Sequence, residues 1–199
     1  MLWSLLAKAP EPMQKTCMAN FIFGYGSLVN RGTHGYGDAA PATLNGWRRR
    51  WCSTPARDVA YLSVWRLPGA QIDGLVARVG PQEWAALDSR EEAYERQNVL
   101  PEVEPAPGHA KSLIAFSVPE SNVLRAVDHP IYLSYVDVVV QGYLDVFGQR
   151  GAAAFFDTTD GWDRPILDDR AAPMYPRHQK LEPEEKRFVD NHLARLSGH

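Results

Sequence analysis

Phe21-Ile22-Phe23-Gly24-Tyr25-Gly26-Ser27-Leu28 runs from three apolar residues into two glycines that flank one tyrosine. Phe21, Ile22 and Phe23 suit a buried strand. Gly24 and Gly26 remove the Cβ restriction, so main-chain N–H groups can close on a ligand, an anion in particular. Taken alone, the pattern equally suits a strand that merely turns at Gly-Tyr-Gly. A dinucleotide fingerprint is excluded, because Val29 stands where its third glycine belongs and no long helix pattern follows.

Outward from this loop lies a polar, Gly-rich passage, Asn30 to Asp38, followed by short runs of β character. These are Ala42 to Trp51, Val59 to Leu67, Ile72 to Val79, Val99 to Glu104 and Ser112 to Val118, bounded by turn residues such as Pro55, Pro68-Gly69, Gly80 and Pro107-Gly108. Three segments read as helices. One runs from Pro81 to about Arg96, with Trp84 and Leu87 on one face. A second, Pro130 to Phe147, carries Ile131, Tyr135, Val138, Val139 and Tyr143 on one stripe. A third starts at Pro183 with Glu184 and Glu185 in its first turn, and sets Phe188, Val189, His192, Leu193 and Leu196 on one face. Strands first, helices late and no regular βαβ alternation point to an α+β fold with a curled or closed mixed sheet.

The 199 residues, 45% of them hydrophobic, suffice for one sizeable core, so residues 18–199 are expected to form a single domain that includes a C-terminal extension, 151–199. Residues 1–17 read as a loosely ordered extension, with Met13 or Met18 as alternative starts. With 21 Lys and Arg against 24 Asp and Glu, the net charge of −3 offers no general attraction to nucleic acid or anionic lipid, and a small-molecule partner fits better. Trp47-Arg48-Arg49-Arg50-Trp51 interleaves bases with aromatics, yet on a strand Trp47, Arg49 and Trp51 share one face and the other two arginines the opposite one. Cys17 and Cys52 are too few for a disulfide framework or a zinc site, and the six histidines lack metal-ligand spacing, so no metal is implied and a reducing cytoplasm is the expected location. No run approaches the roughly 18 to 20 apolar residues of a membrane span.

Leu87-Asp88-Ser89-Arg90-Glu91-Glu92-Ala93-Tyr94-Glu95-Arg96 concentrates acids and arginines. It fits a solvated helical face with Glu92 and Arg96 paired at i,i+4. Glu91, however, lies four residues beyond Leu87 and so shares its inward face, whereas Glu92 is one step toward solvent. A carboxylate pressed against apolar surface titrates upward, into the range useful for general acid/base work. Glu91 is therefore the candidate acid/base, with Glu92 as the off-by-one alternative.

The loop Tyr25-Gly26-Ser27-Leu28 and the segment Leu87-Asp88-Ser89-Arg90-Glu91 together resemble the γ-glutamylcyclotransferase superfamily, including its ChaC-like branch. Leu44-Asn45-Gly46-Trp47, Ile72-Asp73-Gly74-Leu75-Val76 and a late helix with Tyr135 followed by Gly142 extend the resemblance over residues 21 to 148. It implies a small mixed β-barrel of about six strands with flanking helices. It also implies cleavage of a γ-glutamyl amide to 5-oxoproline and a free amine or amino acid, without a cofactor. Glu91 takes the catalytic position. Tyr25, Gly26, Ser27 and Leu28 take that of the substrate-binding loop, and Tyr135 adds a pocket hydroxyl, with Tyr132 competing for that role and an interface packing role the alternative. Arg90 is expected to pair with Asp88 or Glu95. The spacing from Glu91 to Tyr94 is shorter than the Arg-Glu-x-Gly-Gly-Tyr form of glutathione-specific ChaC members. In the tail, Asp169 and Arg170 read as a loop-stapling pair or as residues of the pocket mouth.

Two other readings compete. One is a non-catalytic protein of the same fold that binds a γ-glutamyl or other acidic metabolite, or a protein partner. It gains if Glu91 faces solvent or if Asn30 to Asp38 blocks the loop. The other is a hydrolase with Ser27 as nucleophile, which needs a nearby base. Neither the leaving group nor the oligomeric state is encoded in any motif.

Overall fold

The computed structural model describes residues 19–197. The extension read at residues 1–17 lies outside the described residues. In chain order the elements are β1 (Ala19–Gly24), β2 (Gly37–Thr54), β3 (Arg57–Arg78), α1 (Trp84–Arg90), β4 (Glu95–Asn98), β5 (Val103–Glu104), β6 (Ala110–Ser117), β7 (Ile131–Tyr132), α2 (Leu133–Asp157), β8 (Thr159–Asp160), β9 (Ile166–Leu167) and α3 (Pro183–Ser197). The main sheet has the order β4-β6-β1-β3-β2-β5, with β8 added to β2, and β7 and β9 form a separate pair. β1 is parallel to β6 and antiparallel to β3, so the sheet is mixed.

Chain connectivity forces this sheet to curl. Laid flat, six strands would hold their edges about 24 Å apart. The edge strands β4 and β5 are nevertheless joined only by Val99–Glu102, and the path from Asn98 to Val103 reaches at most about 18 Å. The result is the α+β half-barrel that the strand pattern and the resemblance both imply.

β1 is central and covered on both faces, which is why its apolar residues are consecutive and not alternating. Phe21 and Phe23 enter the main core with Leu44, Leu75 and Val139, while Ile22 packs on the other face with Ala77, Leu87 and Phe116. Through Leu87, 1% exposed, that second cluster seats α1 on the outside of the barrel beside the loop that leaves β1.

Three expectations need correction. Pro68-Gly69 does not end a strand. The β2–β3 ladder jumps from Asn45↔Gln71 to Trp47↔Arg66, leaving Gly46 (φ 78°) opposite a bulge that contains Gly69 (φ 84°). The helix expected from Pro81 to Arg96 covers only Trp84–Arg90, and Tyr94 N–H bonds back to the Glu91 carbonyl at 2.9 Å as the chain turns into β4. The second helix continues past Phe147 to Asp157, with a break at Gly148 (φ 66°), and so takes Phe155 and Phe156 of the tail into the core.

Helix α2 crosses the site loop at very short range. A Cβ on Gly142 would lie 2.6 Å from the Asn30 nitrogen and 2.7 Å from its Cα. Gly142→Ala should therefore destabilise the protein by about 1–3 kcal/mol through overpacking, although alanine in an open helix gains about 1 kcal/mol over glycine. Urea midpoints decide the sign, and a raised midpoint would refute the close contact.

Candidate active site

After Gly24 the backbone turns through Gly26 (φ −123°, ψ −131°) into a single 3-10 turn, Ser27–Val29. The leading N–H groups of such a turn have no partner inside it and so are available to a ligand or a neighbouring side chain. Downstream residues hold the turn in place. Thr33 Oγ1 donates to the Ser27 carbonyl at 2.9 Å, and Asn30 Nδ2 donates to the Val138 carbonyl of α2 at 2.9 Å. The Asn30 to Asp38 passage thus braces the loop and does not cover it.

A cleft of about 330 Å³, counted out to its open mouth, is lined by Tyr25, Gly26, Ser27, Leu28, Glu91 and Tyr135. The candidate acid/base, the four loop residues and Tyr135 are therefore brought to one place. Tyr94, Leu62 and Phe116 complete its walls. Tyr132, the competitor to Tyr135, lies instead on β7, paired with Leu167.

Glu91 caps α1, with its N–H bonded to the Leu87 carbonyl at 3.0 Å, and its side chain is 14% exposed. Burial raises its pKa above the ordinary glutamate value of 4.5, while Arg90 and Arg177 hold it down. Glu92 is exposed and pairs with Arg57 at 3.5 Å, which excludes it from the cleft.

Arg90 does not pair with Asp88 or Glu95. Its guanidinium lies 3.1 Å from Glu91 Oε1 and donates to Ser27 Oγ at 3.0 Å and to the Thr33 carbonyl at 3.3 Å. The early end of α1 explains the exchange, since Arg96 is then carried onto β4 and takes Asp88 itself, at 2.5 Å. One arginine thus ties the candidate acid/base to the candidate binding loop. Ser27 Oγ accepts from this cation, no histidine lines the cleft, and the nearby carboxylate, Glu91, meets Arg90 and is not hydrogen-bonded to the hydroxyl, so among the described residues no nucleophile–base pair is formed at Ser27.

Three tyrosines surround Glu91. Burial pushes the pKa of Tyr135 well up, so its hydroxyl stays protonated, with the Ser27 backbone beside it offsetting part of that shift. A Cβ on Gly26 would stand 2.6 Å from that hydroxyl. Tyr25 and Tyr94 are likewise raised by burial, and both donate inward to main-chain carbonyls, Tyr25 to Phe116 and Tyr94 to Leu62. Of the three, Tyr135 alone keeps its proton free for a ligand among the bonds described.

Arg49, 1% exposed, is a support of the site that the strand pattern hides. It donates to the Tyr25 carbonyl at 3.0 Å, to Thr158 Oγ1 at 2.7 Å, and to the Asp73 carbonyl and the Tyr143 hydroxyl. No carboxylate neutralises it in these contacts. Carbonyl dipoles and the faces of Tyr143 and Phe155, 5.1 and 5.4 Å away, solvate the charge instead. Arg49 therefore clamps the tip of the loop from inside the barrel.

In the tail, Asp169 and Arg170 act as staples and not with each other. Asp169 accepts from the Ser134 N–H at 2.7 Å, and Arg170 bridges Asp137 and Asp190, each at 2.7 Å.

No curated protein sequence matches the chain. Among solved structures, an uncharacterized protein from Homo sapiens aligns with a TM-score of 0.58 at 14% identity, covering 87% of this chain and 99% of that one. A gamma-glutamyl cyclotransferase aligns at 0.55 with 15% identity, covering 87% and 99%. YkqA from Bacillus subtilis aligns at 0.54 with 20% identity, covering 74% and 58%. At such identities the likeness is one of fold. The family model of ChaC-like proteins matches residues 20–138, a span that holds the loop, Glu91, Tyr94 and Tyr135. With that match over more than half its length, the chain belongs to the ChaC-like protein family.

Proposed function

We propose that this protein is a γ-glutamylcyclotransferase, which releases 5-oxoproline and a free amine or amino acid from a γ-glutamyl amide. The observation that carries this reading is the convergence of a buried carboxylate, Glu91, with the N–H-bearing loop Gly26 to Leu28 and the protonated Tyr135 in one cleft. Membership in the ChaC-like family and the fold shared with a gamma-glutamyl cyclotransferase support it.

The chemistry suits these groups. The substrate's own α-amine attacks its γ-carbonyl to close a five-membered ring, so proximity is supplied by the substrate and the cleft selects the folded conformer. Glu91, ionised, takes a proton from the α-ammonium, and the freed amine adds to the carbonyl carbon. In this reading the loop N–H groups and the Tyr135 hydroxyl stabilise the oxyanion and hold the α-carboxylate. Glu91 then delivers its proton to the leaving nitrogen as the carbon–nitrogen bond breaks. The ring nitrogen gives up its second proton by the same route, through Glu91 to the released amine, so that the lactam forms neutral, the amine leaves as its ammonium form and Glu91 ends ionised, with neither water nor a cofactor in the sequence.

Because Glu91 must be ionised to start, kcat/KM should fall as pH falls through its raised pKa. The acid limb is expected to have its midpoint above 4.5. A profile flat down to pH 4 would remove Glu91 as the base.

The direct test is 5-oxoproline release by the wild-type protein from γ-glutamyl amino acids, glutathione and γ-glutamyl amines. Turnover of at least one class is expected. Saturable binding without turnover on all of them would instead favour the non-catalytic reading, which the burial of Glu91 in the cleft presently disfavours.

A further inference from the structure

A segment outside the span matched by the family model runs from Tyr135, a wall of the cleft, to the passage that braces the binding loop. Met174 to Gln179 is fastened at one end where Asp169 accepts from the Met174 N–H at 2.8 Å and Ser134 Oγ accepts from the Tyr175 N–H at 3.3 Å. The Tyr175 ring meets the Tyr135 ring edge-on, with centroids 4.9 Å apart. At the other end, Gln179 Nε2 donates to the Gly32 carbonyl at 3.4 Å, within the passage that braces the binding loop. A turn, His178 N–H to the Tyr175 carbonyl at 3.0 Å, bends the chain between these anchors. Arg177 sits inside that turn.

Arg177 is exposed, and its guanidinium has no ion pair among the described residues. Its charge is felt at Glu91, in the cleft, and at the Tyr36 hydroxyl, on the passage that braces the loop. The other cation at the site, Arg90, is already committed to Glu91, Ser27 and Thr33. An exposed arginine by itself contributes little. This one stands between a contact with the cleft-lining Tyr135 and a contact with the bracing passage at Gly32.

The direction of the reaction gives that position a meaning. In the cyclotransferase reading, on which this inference rests, Glu91 protonates the leaving nitrogen. The amine half of the substrate therefore lies on the Glu91 side of the cleft, and Arg177 is a cation without an ion pair among the described residues whose charge reaches Glu91.

We propose that the strap 174–179 forms the leaving-group subsite and that Arg177 binds a carboxylate on the amine half of the substrate. The protein then prefers γ-glutamyl amino acids or peptides over γ-glutamyl amines. A charge-assisted contact of this kind supports a preference of roughly 10- to 100-fold.

The test compares kcat/KM for γ-glutamyl-alanine and γ-glutamyl-alaninamide, which differ only in that carboxylate, in the wild type, Arg177→Gln and Arg177→Lys. The wild type should prefer the acid, Arg177→Gln should bring the ratio near one, and Arg177→Lys should restore part of it. A wild type without preference, or a preference that survives in Arg177→Gln, overturns the proposal. An equal loss on both substrates also overturns it, because Arg177 would then serve the shared glutamyl half. Failure of the wild type to form 5-oxoproline from either compound is a different result, and it removes the cyclotransferase reading together with this one.

Discussion

Glu91→Gln is expected to lower kcat for 5-oxoproline formation by about 10² to 10⁴-fold while leaving substrate binding measurable. The amide keeps the size and the polar outline of the carboxylate but can neither take the α-ammonium proton nor return one to the leaving nitrogen. Both transfers are assigned to this single side chain, so its removal stops the cycle at its first step. Burial strengthens the case. A glutamate at 14% exposure has its ionised form penalised, and that form is retained beside Arg90 at 3.1 Å. Steady-state assays with calorimetric binding check the expectation, and Glu92→Gln provides the control, because Glu92 is exposed and engaged with Arg57. Full activity in Glu91→Gln would end the assignment.

Arg49→Met is expected to produce the largest loss of stability, about 2–4 kcal/mol. Methionine recovers the desolvation of a buried guanidinium, which limits the loss. It also strands acceptors on three separate elements: the Tyr25 and Asp73 carbonyls and Thr158 Oγ1. Each buried acceptor left without a donor costs about 1–3 kcal/mol, and the Tyr143 hydroxyl, with one proton, can serve only one of the two carbonyls it now touches. For a chain of this size the melting temperature should fall by roughly 5–15 °C. Arg49→Lys should recover part of the loss, since an ammonium keeps the charge but offers three donors from one atom and cannot span the four partners of the planar guanidinium. The loss should extend to KM, because the Tyr25 carbonyl belongs to the binding loop. A melting temperature within a degree of wild type would show that the barrel does not depend on this clamp.

What the sequence made legible is what sits in contiguous motifs. Tyr25 to Leu28 follow directly from the buried strand Phe21 to Phe23, and Glu91 is one turn beyond Leu87, so the helical face argument survives although the helix stops at Arg90. Tyr135 is reached through the resemblance and not through periodicity, because its stripe identifies only a partly buried aromatic. Arg49 stayed hidden for a physical reason. Its partners are chiefly main-chain carbonyls and hydroxyls from 24 to 109 positions away, groups that every residue or many residues carry. Arg90 was misassigned, and Glu92 with Arg96 mispaired at i,i+4, because those pairings presume a helix that continues to Arg96, whereas Asp88 is claimed by Arg96 from a strand and Glu92 by Arg57. Pro68-Gly69 looked like a strand boundary because a local turn signal carries no information about the bulge opposite Gly46 that absorbs it. The strap at Arg177 lies outside the motifs altogether, and only its anchors on Ser134 and Gly32 reveal where it goes.

The most direct measurement of the central claim is the identity of the products formed from γ-glutamyl-alanine in water enriched in ¹⁸O. Ring closure by the substrate's own amine, with Glu91 carrying the proton, predicts equal amounts of 5-oxoproline and alanine, neither of them labelled. Glutamate carrying ¹⁸O would mean that water is the nucleophile and would contradict the account.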